Sequence, residues 1–192
     1  ISGATSAGYT LVAADQGATI TVTVTGSVTG YSAGSATSNA STTVVVGTFA
    51  AGTPVISGNA SLGSTLTVTE GTWTPAPDGF SYVWLRDGSQ ISGATSSSYV
   101  LGSADLGTRI SVRVTATSAG FTSLSATSAQ TASVGAGVFT AGVPTISGWP
   151  AVGSQLTATA GTWTPTPDSL AYAWLRDGSP ISGATSLTYT LA

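Results

Sequence analysis

The stretch Phe80-Ser-Tyr82-Val-Trp84-Leu-Arg86-Asp87-Gly88-Ser-Gln-Ile91-Ser-Gly-Ala-Thr-Ser96 decides the fold of this 192-residue chain. Phe80, Tyr82 and Trp84 alternate with Ser81, Val83 and Leu85, which is strand spacing with one aromatic face. Arg-Asp-Gly-Ser then supplies turn chemistry, because Gly accepts positive φ and Asp can bond its own backbone. The stretch returns as Leu170-Ala-Tyr172-Ala-Trp174-Leu-Arg176-Asp177-Gly178-Ser-Pro-Ile181-Ser-Gly-Ala-Thr-Ser186, and its tail, Ile1-Ser-Gly-Ala-Thr-Ser6, opens the chain. Starts at 1, 91 and 181 give a period of 90 residues. That exceeds the roughly 20–50 residues of solenoid repeats and suits a small β-sandwich.

Only 6% of the residues are charged; there is no Lys, His, Cys or Met, and Gly numbers 25. Four arginines and a net charge of −3 supply no basic stripe, so nucleic acid and anionic membrane surfaces are unsuited partners. No apolar run reaches the ~18 residues of a membrane span, so no membrane insertion is expected. Without cysteine the fold forgoes disulfide stapling. A chain lacking Lys, Met and Cys offers few sites for trypsin-like cleavage or sulfur oxidation, which points to an extracellular or cell-surface setting. Compositional drift in a high-GC genome accounts for the same absence.

In chain order, residues 1–48 read as the C-terminal half of a domain. Tyr9 and Leu11 mark a short strand and Asp15-Gln-Gly17 a corner. Thr19-Ile20-Thr21-Val22-Thr23-Val24-Thr25 is a strand, with Ile20, Val22 and Val24 expected in the core and the threonines outside. Thr42–Val46 is expected to close it. Residues 49–138 read as one complete repeat. After a Gly/Pro linker from Phe49, strands are expected at Val55–Ser57, Thr65–Thr69, Phe80–Leu85, Ser98–Leu101 and Arg109–Val114, with a weaker segment ending near Val134. Residues 139–192 read as the N-terminal half of a third copy. No helical period is sustained, so the fold class is all-β, in tandem sandwich repeats of 90 residues.

Tyr-x-Trp followed by Arg-Asp-Gly resembles the central strand and turn of immunoglobulin-like domains, and Leu101-x-x-x-Asp105-x-Gly107 resembles their corner. The whole chain is similar to the tandem Ig-like repeats of bacterial surface and secreted proteins, particularly actinobacterial ones. Two features depart from that pattern. The cysteine pair is absent, its space falling to Leu66 and Val112, and no tyrosine stands at the corner, where Thr19 and Arg109 occupy the nearest positions. The resemblance implies spacers, stalks or adhesive arrays.

Candidate chemistry is sparse. Without His, Cys or Lys the usual general base and activated nucleophiles are missing, and no catalytic residue, cofactor site or metal site is assigned. Asp78, Asp87 and Asp105, with Asp168, Asp177 and Asp15, read as turn carboxylates. Calcium needs several oxygen ligands in one loop, and Asp78 stands alone. An isopeptide cross-link needs lysine. A Thr–Gln ester would need a glutamine at a shared repeat position, but Gln16, Gln90, Gln130 and Gln155 share none. The Thr19–Thr25 face suggests ice binding until Arg109, Ser111 and Arg113 break the array in the next copy. Trp73 and Trp163, flanked by Thr and Pro, offer either an aromatic platform for surface glycans or packing onto a domain. Trp149, followed by Pro150, is a further ligand or interdomain contact. The Thr-Pro pairs at 74–75 and 164–165 are candidate O-glycosylation sites.

Half-domains at both ends would leave apolar faces and strand edges open. They point to a window on a longer covalent array or to copies joined head to tail, with neighbouring repeats as the partners. The leading expectation is a non-enzymatic extracellular stalk, fibre or filament of Ig-like beads. The alternative is an adhesin or glycan-binding module using Trp73, Trp163 and Trp149, on a cell surface or a virion.

Overall fold

Alternating apolar and hydroxyl side chains produce antiparallel strands throughout the computed structural model, which describes residues 1–192. The only helical segments are two 3-10 turns, Ala13–Asp15 and Ser103–Asp105. The molecule divides into two units, Ile1–Ala136 and Gly137–Ala192.

In the first unit, β1 (Thr23–Gly26) pairs with β2 (Gly34–Thr37). Two sheets follow. One is ordered β3 (Val55–Ser57), β4 (Thr65–Thr69), β7 (Ser98–Val100), and the other β6 (Ser89–Gln90), β5 (Gly79–Arg86), β8 (Ile110–Thr117), β9 (Leu124–Thr127). The long ladder is β5 against β8, running from Gly79 opposite Thr117 to Arg86 opposite Ile110. β5 turns back into β6 through a two-residue hairpin at Asp87-Gly88, where both residues have positive φ (46° and 83°). That is the conformation a tight hairpin needs and the reason Asp-Gly stands there.

Both sheets contribute to one hydrophobic cluster: Leu66 and Val68 from β4, Trp84 from β5, and Ile110, Val112, Val114 and Ala116 from β8. In β4 the buried residues are Leu66 and Val68 and the exposed ones Thr65, Thr67 and Thr69, as period-2 patterning requires. Trp84 is fully buried, stacks on Tyr99 at 5.7 Å, and places its indole N–H on the Ser96 carbonyl at 2.8 Å. Leu66 and Val112, expected in the space of the absent cysteine pair, are both wholly buried. Burying each such side chain stabilises by ~1.5–3 kcal/mol.

Residues 1–48 differ from expectation. Val22 and Val24, expected in a core, are 57% and 65% exposed, and Ile20 is half-buried. No second sheet lies over their apolar face. Tyr9–Leu11 and Thr42–Val46 form no strand, although Ser41 N–H to Ile20 C=O and Val44 N–H to Ala18 C=O continue the contact between the two arms.

In the second unit, β10 (Thr145–Gly148), β11 (Gln155–Thr159) and β14 (Thr188–Thr190) form one sheet, and β12 (Leu175–Arg176) pairs with β13 (Ser179–Pro180). Leu156 stands opposite Tyr189 as Leu66 stands opposite Tyr99, and Leu175 opposite Pro180 as Leu85 opposite Gln90. Trp174 repeats the Trp84 geometry, 5.6 Å from Tyr189 with its N–H on the Ser186 carbonyl.

Truncating Trp84 to Ala should cost about 3–5 kcal/mol, as for large core aromatics generally. Urea denaturation followed by far-ultraviolet circular dichroism measures it. A loss below about 1 kcal/mol would place the aromatic face outside the core.

Candidate functional site

In a chain with so few charges, the one buried ion pair stands out. Asp105 is fully buried at the end of the 3-10 turn that precedes β8, a turn that a simple turn reading covers. Its Oδ1 accepts from Arg86 Nε at 2.7 Å, and its Oδ2 accepts from the Tyr99 hydroxyl at 2.9 Å and the Gly102 N–H at 2.8 Å. Arg86 ends β5 and Tyr99 lies in β7, so the carboxylate ties both sheets to one corner. Burial alone would raise the Asp105 pKa; the Gly102 N–H, the Arg86 guanidinium and the Tyr99 hydroxyl outweigh it and hold the carboxyl below its ordinary value. Tyr99 is raised, first by burial and then by that carboxylate. An Asp–Arg–Tyr cluster holds this corner, and sequence reasoning missed that role for Asp105. The signal was present in the shared spacing of Tyr9/Asp15 and Tyr99/Asp105 and in the recurrence of Arg86 as Arg176.

The three sequence-predicted tryptophans fall in three different settings. Trp73 is 5% exposed, packs edge-on to Phe49 at 6.3 Å and against Phe80 at 5.9 Å, and donates its N–H to the Glu70 carbonyl at 2.9 Å. Of the two readings offered for it, burial favours packing. Trp163 keeps the same bond, to Ala160 C=O at 3.0 Å, and an edge-on Phe139 at 6.4 Å, but is only half-buried. Trp149 is 75% exposed. Nothing brings the three together.

Glu70 has a partner of its own, since its carboxylate accepts from the Tyr82 hydroxyl. Burial first, and that bond second, push Tyr82 up to about 12.

Where residues 1–48 meet 49–136, the connector is held on both sides. Gly47 N–H donates to Gly120 C=O at 2.8 Å, and Thr122 N–H donates to Gly47 C=O at 3.0 Å. A Cβ on Gly47 would lie 2.5 Å from the Phe121 ring, so only glycine fits against that aromatic face. Phe121 in turn stacks on Phe49 at 5.0 Å. Val12, Ala13, Val44 and Phe121 line a cavity of about 510 Å³ beside this contact.

In the second unit an apolar cavity of about 440 Å³ is lined by Ile146, Ala158, Trp163, Leu170, Tyr172 and Trp174. The corresponding surface of 49–136 is covered by the β8 side chains Ile110, Val112 and Val114. No group of three or more His, Cys, Asp or Glu side chains gathers anywhere in the molecule, and no helix is long and apolar enough to cross a membrane.

No family model matches the chain, and no curated protein or solved structure shows significant similarity to it.

The corner generates a pH prediction. Because the folded-state pKa of Asp105 is lowered, its stabilisation is complete above about pH 5 and is lost as pH falls through that lowered value. Tyr82 acts at the other end: with a folded value near 12, its contribution is whole below about pH 10 and is lost as pH rises through 12. Asp105→Asn should cost ~2–3 kcal/mol at neutral pH, less than a fully buried pair because Arg86 is partly solvated. Urea titrations from pH 2 to 8 should show a smaller acid loss in the variant than in the parent. An unchanged acid slope would remove Asp105 from that role.

Proposed function

We propose that this chain is a non-catalytic, extracellular structural protein, a string of Ig-like β-sandwich repeats of 90 residues that builds a stalk, fibre or filament. The observation that carries the reading is the return of one packing arrangement after 90 residues: Leu66 opposite Tyr99 with Trp84 on its face, then Leu156 opposite Tyr189 with Trp174 on its face. Two sheets closing over one cluster in 49–136, and the Tyr-x-Trp and Arg-Asp-Gly landmarks within it, support the Ig-like assignment. The Gly47 connector, bonded on both sides, suits a bead that must hold its neighbour. A surface without lysine, methionine or cysteine suits an oxidising, protease-rich exterior.

A second reading, an adhesin or glycan-binding module on a cell surface or virion, draws on Trp149, whose exposed indole beside Pro150 is the type of surface that stacks on sugar rings.

Single-molecule pulling tests the first reading. Residues 49–138 should unfold in one event that releases about 300 Å of chain, from ~3.3–3.6 Å per extended residue. Release of the whole chain in one step would reject the division into beads. For the second reading, a glycan screen should show binding that disappears in Trp149→Ala with the dichroism spectrum intact; absence of binding to any surface sugar counts against it.

A further inference from the structure

Residues 1–12, 91–102 and 181–192 are three copies of one segment, and they differ only at the places of Ser97, Ser98, Val100 and Gly102, all exposed. Surface positions of this segment have diverged. The hexapeptide Ile91-Ser-Gly-Ala-Thr-Ser96 has not, and returns unchanged at 1–6 and 181–186.

The fold accounts for part of that identity. Ile91, Ala94 and Tyr99 pack against the hydrophobic cluster, and Leu101 is buried. Gly93 has a φ of 76°, in the region that favours glycine, as do Gly3 at 79° and Gly183 at 75°. Ser92, Thr95 and Ser96 are different. Their side chains are exposed, as are their counterparts in the other two copies. The side-chain hydrogen bonds of the segment run from the Trp84 indole to the Ser96 carbonyl and among Tyr99, Arg86 and Asp105; the Ser92, Thr95 and Ser96 hydroxyls take part in none. Hydroxyls that the fold uses are bonded, as Ser128 is to the Val112 N–H and Thr131 to the Ile110 N–H.

The turn that carries these hydroxyls is pinned. Trp84 donates its backbone N–H to the Ala94 carbonyl at 3.1 Å and its indole N–H to the Ser96 carbonyl at 2.8 Å, so Thr95 stands between two anchored peptide groups. Ala94 N–H to Ile91 C=O and Thr95 N–H to Gly93 C=O close the loop, and the same two bonds recur in both other copies. Ser92, Thr95, Ser96 and Tyr99 line a hollow of about 290 Å³, and the turn at 2–10 makes one of about 260 Å³.

The lining decides what the hydroxyls serve. Three exposed hydrogen bonds, each exchanged against bonds to water, hold a reversible ligand no better than about millimolar. Tyr99, the one aromatic ring of the hollow, is already stacked on Trp84. A phosphate ester would bring about two negative charges into a hollow lined by no cation. A neutral group held by a covalent bond meets neither obstacle, and a sugar would set its own hydroxyls among those of Ser92 and Ser96.

We propose that Thr95 is an O-glycosylation acceptor, and Thr5 and Thr185 with it, giving one attachment site every 90 residues. The donor is a sugar activated as its nucleotide or lipid phosphate ester. The catalyst is a separate transferase, since this chain has no His, Lys or Cys to serve as base. Thr95 Oγ attacks the anomeric carbon as the bond from that carbon to the phosphate oxygen breaks. The phosphate leaves with the electron pair, and the hydroxyl proton passes to a base of the transferase.

Trypsin cuts this chain only after arginine, so denatured protein isolated from the cells that make it yields 87–109, with Thr95, and 177–192, with Thr185. Mass spectrometry with electron-transfer fragmentation should find both peptides heavier by whole sugar residues, the added mass lying on those two threonines. Thr95→Val should return 87–109 to its bare mass, leave 177–192 glycosylated and leave the dichroism spectrum unchanged, because that hydroxyl bonds nothing in the fold. Bare peptides from the parent protein overturn the proposal, as does a phosphate or acyl increment in place of sugar. So does sugar confined to the Thr-Pro pairs at Thr74 and Thr164, or a Thr95→Val protein that keeps its sugar on 87–109.

Discussion

A buried carboxylate is expensive, and Asp105 is tolerated only because every direction of approach is filled by a donor. Arg86 reaches it from the end of β5, Tyr99 from β7, and Gly102 from the turn that precedes β8. None of these contacts is optional once the charge is inside. Moving either sheet relative to the corner would strand an ion in a low-dielectric interior. The apolar cluster supplies most of the driving force of residues 49–136, but apolar burial is non-directional. The Asp105 cluster adds the directional constraint that selects one placement of the sheets.

That division explains what could be read in advance. The period-2 runs at 65–69, 80–85 and 110–114 announced their strands, and Trp84, Leu66 and Val112 announced the core, because burial against a pleated face imposes alternation directly on the sequence. The Asp-Gly turn was equally legible, since its positive φ values restrict residue choice. Asp105 was not. A carboxylate beside Gly is ordinary in a turn, and only distance shows that Arg86, 19 residues earlier, bends back onto it.

Residues 1–48 teach the complementary lesson. Alternation in Thr19–Thr25 correctly identified an apolar face, but pattern alone does not say what covers it. Val22 and Val24 carry the side chains of a core strand and lie in solvent, since an amphipathic strand is buried only when a second layer is present. The same holds for the tryptophans. Trp73 and Trp163 sit in nearly identical sequence and share their bond to the carbonyl three residues back, but Phe80 packs on Trp73 at 5.9 Å whereas Leu170 stands in that place beside Trp163, and only Trp73 is buried.

The Gly47 connector has a mechanical meaning as well. A single linking strand leaves the segments on either side free to swivel about its bonds, whereas two hydrogen bonds of opposite polarity, with an aromatic ring pressed against the backbone between them, resist rotation about the chain axis. Such a joint transmits torque from residues 1–46 to residues 49–136 instead of dissipating it.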